Sequence, residues 1–227
     1  MMQTGTTKRQ AAILGDMGVD VWVPRDAADP EAAGHLDSAI DSDLEGSWPR
    51  LQSEVEACQR CDLAATRTQT VFGIGDPHAD LMFIGEAPGA EEDRRGEPFV
   101  GRAGKLLDAM LFSIGLTRQS IFICNVLKCR PPNNNDPQSA QIEACSSYLD
   151  AQIAYVQPKL IVALGRFAAH RLLKTDAPVW RMRESDNLLP DSDIPLVVTY
   201  HPASLLRNPD NKARVWQDLC KVRKLLS

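Results

Sequence analysis

The stretch LMFIGEAPG at residues 81–89 joins an apolar run of strand length to a turn rich in glycine and proline. Three further runs of this kind follow, at residues 121–127, 160–165 and 196–200. Each is rich in β-branched and other apolar residues and is bounded by polar, glycine or proline residues, a pattern typical of buried strands. The sequence therefore predicts four strands.

The segments between these runs carry the apolar spacing of amphipathic helices. Apolar residues recur at intervals of three and four between residues 103 and 114, and again between residues 142 and 156. Strands that alternate with helices favour a mostly parallel sheet covered by helices on both faces. The predicted fold class is thus α/β, a single three-layer α/β/α domain around a four-stranded sheet.

Polar residues stand where several of these runs end. Glu86 follows the first run, Asn125 lies near the end of the second, Gly165-Arg166 ends the third and His201 follows the fourth. In open α/β sheets, ligands bind outside the carboxyl ends of the strands. A carboxylate, an amide and an imidazole are therefore expected to meet at one edge of the sheet, as in an active site.

Four of the six cysteines have a spacing that suggests a metal site. Cys58 and Cys61 form a C-x2-C pair, and Cys129 and Cys145 follow with fifteen residues between them. Zinc and iron-sulfur clusters both accept four thiolates, although a zinc ribbon usually closes with a second C-x2-C pair, which is absent here. Cys145 lies on the apolar face of its predicted helix, where a free cysteine is also an ordinary core residue. The remaining two, Cys124 and Cys220, are predicted to be buried thiols.

Charge divides the chain into two parts. The formal net charge is −5, and residues 1–50, with four Lys or Arg and nine Asp or Glu, hold all of it. These fifty residues lack sustained periodicity and are interpreted as an acidic, flexible N-terminal extension. Residues 51–227 form the predicted α/β domain, in which charges of the two signs balance.

The basic residues of the balanced part concentrate near its end. From His201 onward, six basic residues (Arg207, Lys212, Arg214, Lys221, Arg223 and Lys224) face two acidic ones (Asp210 and Asp218). They form either a basic face for nucleic acid or an ordinary solvated helix surface.

The sequence indicates a cytoplasmic protein without membrane association. It contains no apolar run of about 18 residues that could span a bilayer, and its N-terminus lacks the pattern of a secretory signal. In a reducing compartment, cysteines are more often free thiols or metal ligands than disulfides.

Four segments resemble the motifs of family 4 uracil-DNA glycosylases, the thermostable-type branch of the uracil-DNA glycosylase superfamily. They are GEAPG at residues 85–89, GEPFVG at 96–101, NVLKCRPP at 125–132 and HPASLLR at 201–207. Their order matches that of the family, and the resemblance covers residues 55–225. It implies a [4Fe-4S] cluster on Cys58, Cys61, Cys129 and Cys145, and a monomer that acts on uracil-containing DNA.

The activity that the resemblance implies is monofunctional base excision. The enzyme would flip uracil out of DNA and hydrolyse its N-glycosidic bond, which leaves an abasic site and starts the repair of deaminated cytosine. Phe99 matches the residue that stacks on uracil, and Asn125 matches the amide that reads it. His201 matches the catalytic histidine, which would act with backbone amides of Gly85, Glu86 and Ala87 on the negative charge that grows at uracil O2.

The resemblance leaves the residue that activates water open. Glu86 is the candidate and Glu92 the fallback, because Ala87 stands where the family 1 enzymes have an aspartate. Leu205 and Leu206 match the loop that wedges into the duplex, and Arg207 is expected near phosphate. The alternative for both leucines is a place in the core.

The sequence is compatible with three classes of function. The favoured one is the glycosylase, for which Glu86, Asn125 and His201 would be the catalytic residues. The second is a non-catalytic or covalently capturing uracil-DNA binding protein with a structural metal site. The capturing branch of the superfamily carries a basic, histidine-containing insertion after its second motif, whereas residues 132–136 here are short and contain no histidine. The third is an electron-transfer protein. A repair or replication protein that binds the acidic extension is a further hypothesis.

Overall fold

The computed structural model describes residues 37–226, with side chains from residue 47 onward. Residues 1–36 of the acidic extension lie outside this range. The sheet and the helices that flank it belong to the compact unit Gly46–Ser227.

The sheet has six strands in the order β1-β3-β2-β4-β6-β5. Their bounds are β1 Ile74–Gly75, β2 Leu81–Gly85, β3 Phe122–Asn125, β4 Leu160–Leu164, β5 Asn187–Leu188 and β6 Pro195–Thr199. The four predicted strands are β2, β3, β4 and β6, and they run parallel to one another. The predicted number of strands was wrong by two, because β1 and β5 pair antiparallel at the edges over only two residues each and leave no periodic pattern.

Eight α-helices accompany the strands of residues 37–226. They are α1 Asp37–Glu56, α2 Ala90–Arg95, α3 Arg102–Ser113, α4 Ser139–Val156, α5 Arg166–Leu173, α6 Val179–Glu184, α7 Pro202–Arg207 and α8 Lys212–Leu226. None of the described helices is long and apolar enough to cross a membrane.

Alternate residues of the strands face opposite layers, as the pleat requires. Met82 and Ile84 pack in one core with residues of α1, α4 and α5. Leu81 and Phe83 pack in a second core with residues of α3, α7 and α8. The predicted three-layer α/β/α architecture is therefore confirmed.

The packed unit reaches back beyond residue 51. The ring of Trp48 lies 5.0 Å from that of Phe72 and 5.2 Å from that of Phe122, both edge-on. The compositional boundary at residue 50 thus falls inside α1, in a segment that contacts the core.

Candidate active site and cysteine site

A cavity of about 440 Å³ opens at the carboxyl ends of the parallel strands. It is lined by residues from the ends of three strands and from the loops and helices around them, namely Glu86, Ala87, Gly89, Glu92, Phe99, Ala103, Asn125, Asn134, Asp136, His201, Ala203 and Arg207. The structure thus brings Glu86, Asn125 and His201 together. We refer to this cavity as the strand-end pocket.

Asn125 contributes a buried, unsatisfied acceptor to the strand-end pocket. The residue is 2% exposed, and its Oδ1 is the only buried side-chain polar atom without a hydrogen-bond partner among the described residues. Buried polar groups are nearly always hydrogen-bonded, and an orphan of this kind costs about 1–3 kcal/mol. The pocket is therefore built to receive a donor at this position.

Gly85 makes room for that amide. It pairs with Asn125 across β2 and β3, so the two residues are neighbours at the sheet edge. A Cβ at position 85 would clash with Oδ1 of Asn125 and would lie 2.5 Å from Cζ of Phe99. Only glycine permits this approach of the aromatic ring and the amide.

Phe99 is held in a strained backbone conformation. Its φ is 55°, in the left-handed region that a bulky residue seldom adopts. Arg118 donates from Nη2 to the carbonyl of Phe99 and from Nη1 to the carbonyl of Pro98, at 2.9 Å in the second case. Gly104 packs directly against the same Phe99 carbonyl, where any Cβ would clash.

Neither Arg118 nor Gly104 was identified from the sequence. A glycine inside an amphipathic helix was the available signal, because glycine weakens a helix and needs a packing reason. Arg118 gave no local signal, since it acts on residues about twenty positions away.

His201 enters the strand-end pocket as a neutral imidazole. Its ring centroid lies 5.5 Å from that of Phe99, with an angle of 32° between the ring planes. Burial, reinforced by the charge of Arg207, lowers the pKa of His201 to about 4, although Glu92 opposes the shift. Nδ1 accepts a hydrogen bond from the Ala203 amide at 3.1 Å. A neutral ring whose Nδ1 accepts carries its proton on Nε2, which makes Nε2 a donor.

Glu86 is shifted in the opposite direction. Burial and the nearby carboxylate of Asp136 raise the pKa of Glu86 to about 7, against the charges of Arg166 and Arg207. Asp136 is itself paired with Arg166 at 2.9 Å. Two titratable groups with opposite shifts in one cleft are typical of a catalytic site.

Glu92 has a structural task at the rim of the strand-end pocket. Oε1 accepts hydrogen bonds from the Val100 and Gly101 amides at 2.9 Å each, and Oε2 accepts one from the Gly89 amide at 3.1 Å. The carboxylate therefore joins the start of α2 to the loop that carries Phe99. With both oxygens engaged, it is poorly placed to activate water.

The four cysteines of the predicted metal site line one narrow cavity on the α1–α4 side of the sheet, together with Arg60, Arg67 and Tyr148. Arg67 donates to Sγ of Cys129 at 3.1 Å, and the Lys128 amide donates to Sγ of Cys145 at 3.4 Å. No three His, Cys, Asp or Glu side chains within residues 47–226 converge as ligands of a single metal ion. The sulfurs thus surround a common space without meeting at one point.

Comparison with known proteins assigns the family. The sequence model of the uracil DNA glycosylase superfamily matches residues 72–220. A type-4 uracil-DNA glycosylase from Sulfurisphaera tokodaii is 43% identical over 79% of this chain and 84% of its own length. The chain belongs to the uracil-DNA glycosylase superfamily, in its type-4 branch.

Two further type-4 relatives agree in extent. The protein from Archaeoglobus fulgidus is 42% identical over 76% of this chain and 89% of its own length. The protein from Thermotoga maritima is 40% identical over 78% of this chain and 93% of its own length. A type-5 uracil-DNA glycosylase from Pyrobaculum aerophilum is more distant, at 29% identity over 69% of this chain and 77% of its own.

The structure separates the two leucines of the fourth type-4 motif. Leu205 is 1% exposed and packs in the core beneath the sheet, whereas Leu206 is 39% exposed. Arg207 lines the strand-end pocket. Among the basic residues that follow Arg207, Lys221 forms an ion pair with Asp186 at 2.6 Å and does not line this pocket. Leu206 and Arg207 are therefore the members of this motif that a nucleic acid could reach.

The two remaining cysteines of this type-4 chain differ in environment. Cys124 is buried, as predicted, but the prediction for Cys220 was wrong because it is exposed. Helix α8 buries Val215, Leu219 and Val222 at intervals of three and four, and Cys220, which directly follows Leu219, lies outside this buried stripe.

Proposed function

We propose that this chain is a monofunctional uracil-DNA glycosylase of base excision repair. It receives a uracil flipped out of DNA in the strand-end pocket and hydrolyses the N-glycosidic bond. The observation that carries the proposal is the orphaned Oδ1 of Asn125, which is buried between Gly85 and Phe99. Family membership supports the same activity.

The orphaned acceptor explains how uracil is distinguished from cytosine. Uracil carries a hydrogen on N3, which can be donated to Oδ1 of Asn125. Cytosine has a lone pair at N3, so that the same pose would oppose two acceptors in a buried site. A site built to bond one donor rejects an analogue that lacks it by a factor of about 10⁴–10⁵.

His201 serves the departing base. As the glycosidic bond stretches, negative charge grows on uracil, chiefly at O2, and a preorganised donor aimed there stabilises the transition state more than the ground state. A neutral imidazole with its proton on Nε2 is such a donor. The backbone amides of Gly85, Glu86 and Ala87 are the proposed second source of donors.

Glu86 serves the sugar. The bond between C1′ and uracil N1 breaks with its electron pair on the base, a water oxygen bonds to C1′, and one water proton ends on the departing uracil. With its pKa near 7, the Glu86 carboxyl is a substantial fraction carboxylate at neutral pH. That carboxylate orients the water and opposes the cationic character of the sugar.

The four-cysteine cavity fits the proposed [4Fe-4S] cluster. Cys58, Cys61, Cys129 and Cys145 surround one space, and N–H donors reach two of their sulfurs, as is usual for cluster thiolates. When bound, the cluster would cross-link the segment after α1, helix α4 and the segment after β3. Hydrolysis of a glycosidic bond requires no electron transfer from it.

DNA is the proposed partner, through Leu206 as the wedge and Arg207 at phosphate. Both residues are exposed on α7, which begins directly after His201. We further propose that the enzyme acts as a monomer in the cytoplasm. A repair or replication protein remains the proposed partner of the acidic extension.

The decisive test is a duplex oligonucleotide with one labelled uracil opposite guanine, treated with alkali after incubation to break abasic sites. We expect cleavage at the uracil, and a fall of about 10²–10³-fold in His201→Ala through loss of one transition-state donor. His170→Ala is the matched control, since His170 lies on α5 outside the strand-end pocket and its ring bonds the Ala177 carbonyl. Binding of the uracil strand without cleavage would instead favour the non-catalytic binding protein.

A further inference from the structure

Lys128 is a fully buried lysine that the proposed chemistry does not use. The residue is 1% exposed, and its Nζ donates to the backbone oxygen of Asn125 and to Oε1 of Gln152, at 2.6 Å in each case. No Asp or Glu within residues 47–226 forms an ion pair with it. A buried cationic group without a carboxylate is costly and needs another source of negative charge.

The main chain of Lys128 contacts the cysteine site. Its amide donates to Sγ of Cys145, and its carbonyl accepts a hydrogen bond from the Val71 amide at 2.8 Å. Cysteines that hold a bound cluster would be thiolates, and these would supply the missing negative charge from the adjacent cavity. Lys128 therefore touches both the uracil-reading residue and a proposed cluster ligand.

The second partner of Nζ is equally fixed. Gln152 is fully buried on α4, and its Nε2 donates to the carbonyl of Phe72 at 2.9 Å. Lys128 thus holds the end of β3 against α4 by hydrogen bonds with no exposed member. The backbone of Asn125 has little freedom as long as this network is intact.

We propose that Lys128 is a positioning residue that fixes the backbone of Asn125, and hence the amide that reads uracil, against the cysteine site. This inference rests on the proposed function, because it assigns the origin of uracil affinity within the same pocket. In the proposed complex, Asn125 contacts the uracil base and not the DNA backbone. Loss of the Lys128 side chain is therefore expected to weaken the recognition of uracil while leaving contacts with the DNA backbone intact.

The test compares two duplexes, one with 2′-fluoro-2′-deoxyuridine, which resists hydrolysis, and one with a stable abasic analogue at the same position. Lys128→Met, which keeps the length but removes the donor, is expected to weaken binding of the uracil duplex by about 10–100-fold, the equivalent of one charge-assisted hydrogen bond. Affinity for the abasic duplex and iron content should stay at the level of the unmodified protein. Lys159→Met is the matched control, since Lys159 is exposed and pairs with Asp80.

A second variant covers the case in which Lys128→Met does not fold. Gln152→Met removes one acceptor of Nζ without touching Asn125, and a smaller loss of about 3–10-fold is expected on the uracil duplex alone. Equal losses on both duplexes, or no loss in either variant that folds, would overturn the proposal. If the unmodified protein neither prefers the uracil duplex nor excises uracil, the proposed function fails, which is a separate result.

Discussion

At the scale of single residues, the strand-end pocket pairs an acid and a base with opposite pKa shifts. Burial raises the pKa of Glu86 to about 7 and lowers that of His201 to about 4. From pH 5 to 9 the imidazole therefore stays neutral, and Glu86 is the member of the pair that changes charge. A pH profile of excision should report the carboxyl group.

We expect kcat/KM for uracil excision to rise with pH through a midpoint near 7 and then to level off, because the proposed role of Glu86 requires its carboxylate form. Glu86→Gln should lower the plateau by about 10²-fold and abolish this acid limb. Asp136→Asn removes a charge that raises the pKa of Glu86, so that its midpoint should move to lower pH. An acid limb that persists in Glu86→Gln would assign the titration to another group.

At the scale of elements, the end of β6 is tied to α6 and α8 by a buried ionic network. Arg183 of α6 and Asp218 of α8 pair at 2.8 Å, with each side chain 7% exposed. Thr199, the last residue of β6, donates to Oδ2 of Asp218 at 2.6 Å. Since His201 follows two residues later, this network sets where the imidazole that we propose as catalytic leaves the sheet.

Asp218→Asn should destabilise the protein by about 3–5 kcal/mol, because it removes the buried partner of Arg183. The remaining carboxylate near Arg183 is that of Glu184, at 3.7 Å and with a side chain that is 66% exposed. Urea unfolding measures the loss, and uracil excision should fall in parallel. The matched control is Asp150→Asn, whose partner is Arg171 and whose side chain is 57% exposed. Exposed pairs contribute about 0–1 kcal/mol, so that similar losses in the two variants would refute the anchoring role.

The sequence predicted the strands and the residues at their ends, but not the contacts that hold those residues in place. Apolar runs in the sequence located β2, β3, β4 and β6, because a parallel strand that is buried on both faces is a nearly continuous run of apolar residues. Glu86, Asn125 and His201 could be predicted as neighbours, since strand ends share one edge. Arg118 and Asp218 could not, because each acts through contacts with residues distant in the chain. Gly104 left a local signal, a glycine inside a helix, but the sequence did not show that it packs against the Phe99 carbonyl.

A second limit concerns which face of a helix is buried. The sequence analysis predicted a buried thiol at Cys220 without deciding which face of the C-terminal helix packs against the sheet, and the buried face does not include Cys220. The same limit left Leu205 and Leu206 undivided. Adjacent helical residues point about 100° apart, and packing against the sheet alone decides between them.

At the scale of the whole molecule, the four-cysteine site joins segments far apart in sequence. We expect the purified protein to contain iron and acid-labile sulfide and Cys145→Ser to lose both, because a cluster needs its full set of ligands. The midpoint of thermal unfolding should also fall by a large amount in this variant. Cys220→Ser is the control, since its thiol is exposed on α8. Zinc in place of iron, or full iron content in Cys145→Ser, would contradict the assignment.

The division of the molecule into an acidic extension and a catalytic unit can be tested by two truncations that differ by five residues. All nine Asp or Glu of residues 1–50 lie within residues 1–45, so that removal of 1–45 or of 1–50 deletes the same acidic charge. Only the longer deletion removes Trp48, whose ring also lies 4.6 Å from that of Tyr155.

Loss of a packed tryptophan costs about 3–5 kcal/mol, and the chain that begins at residue 51 should therefore unfold at markedly lower urea concentration than the chain that begins at residue 46. Excision by the chain that begins at residue 46 should equal that of the full chain. If the extension binds a repair or replication protein, both truncations lose it in a pull-down, whereas retention by the shorter deletion would assign the contact to the catalytic unit. Equal unfolding of the two truncations would mean that Trp48 is dispensable and that the composition had marked the boundary correctly.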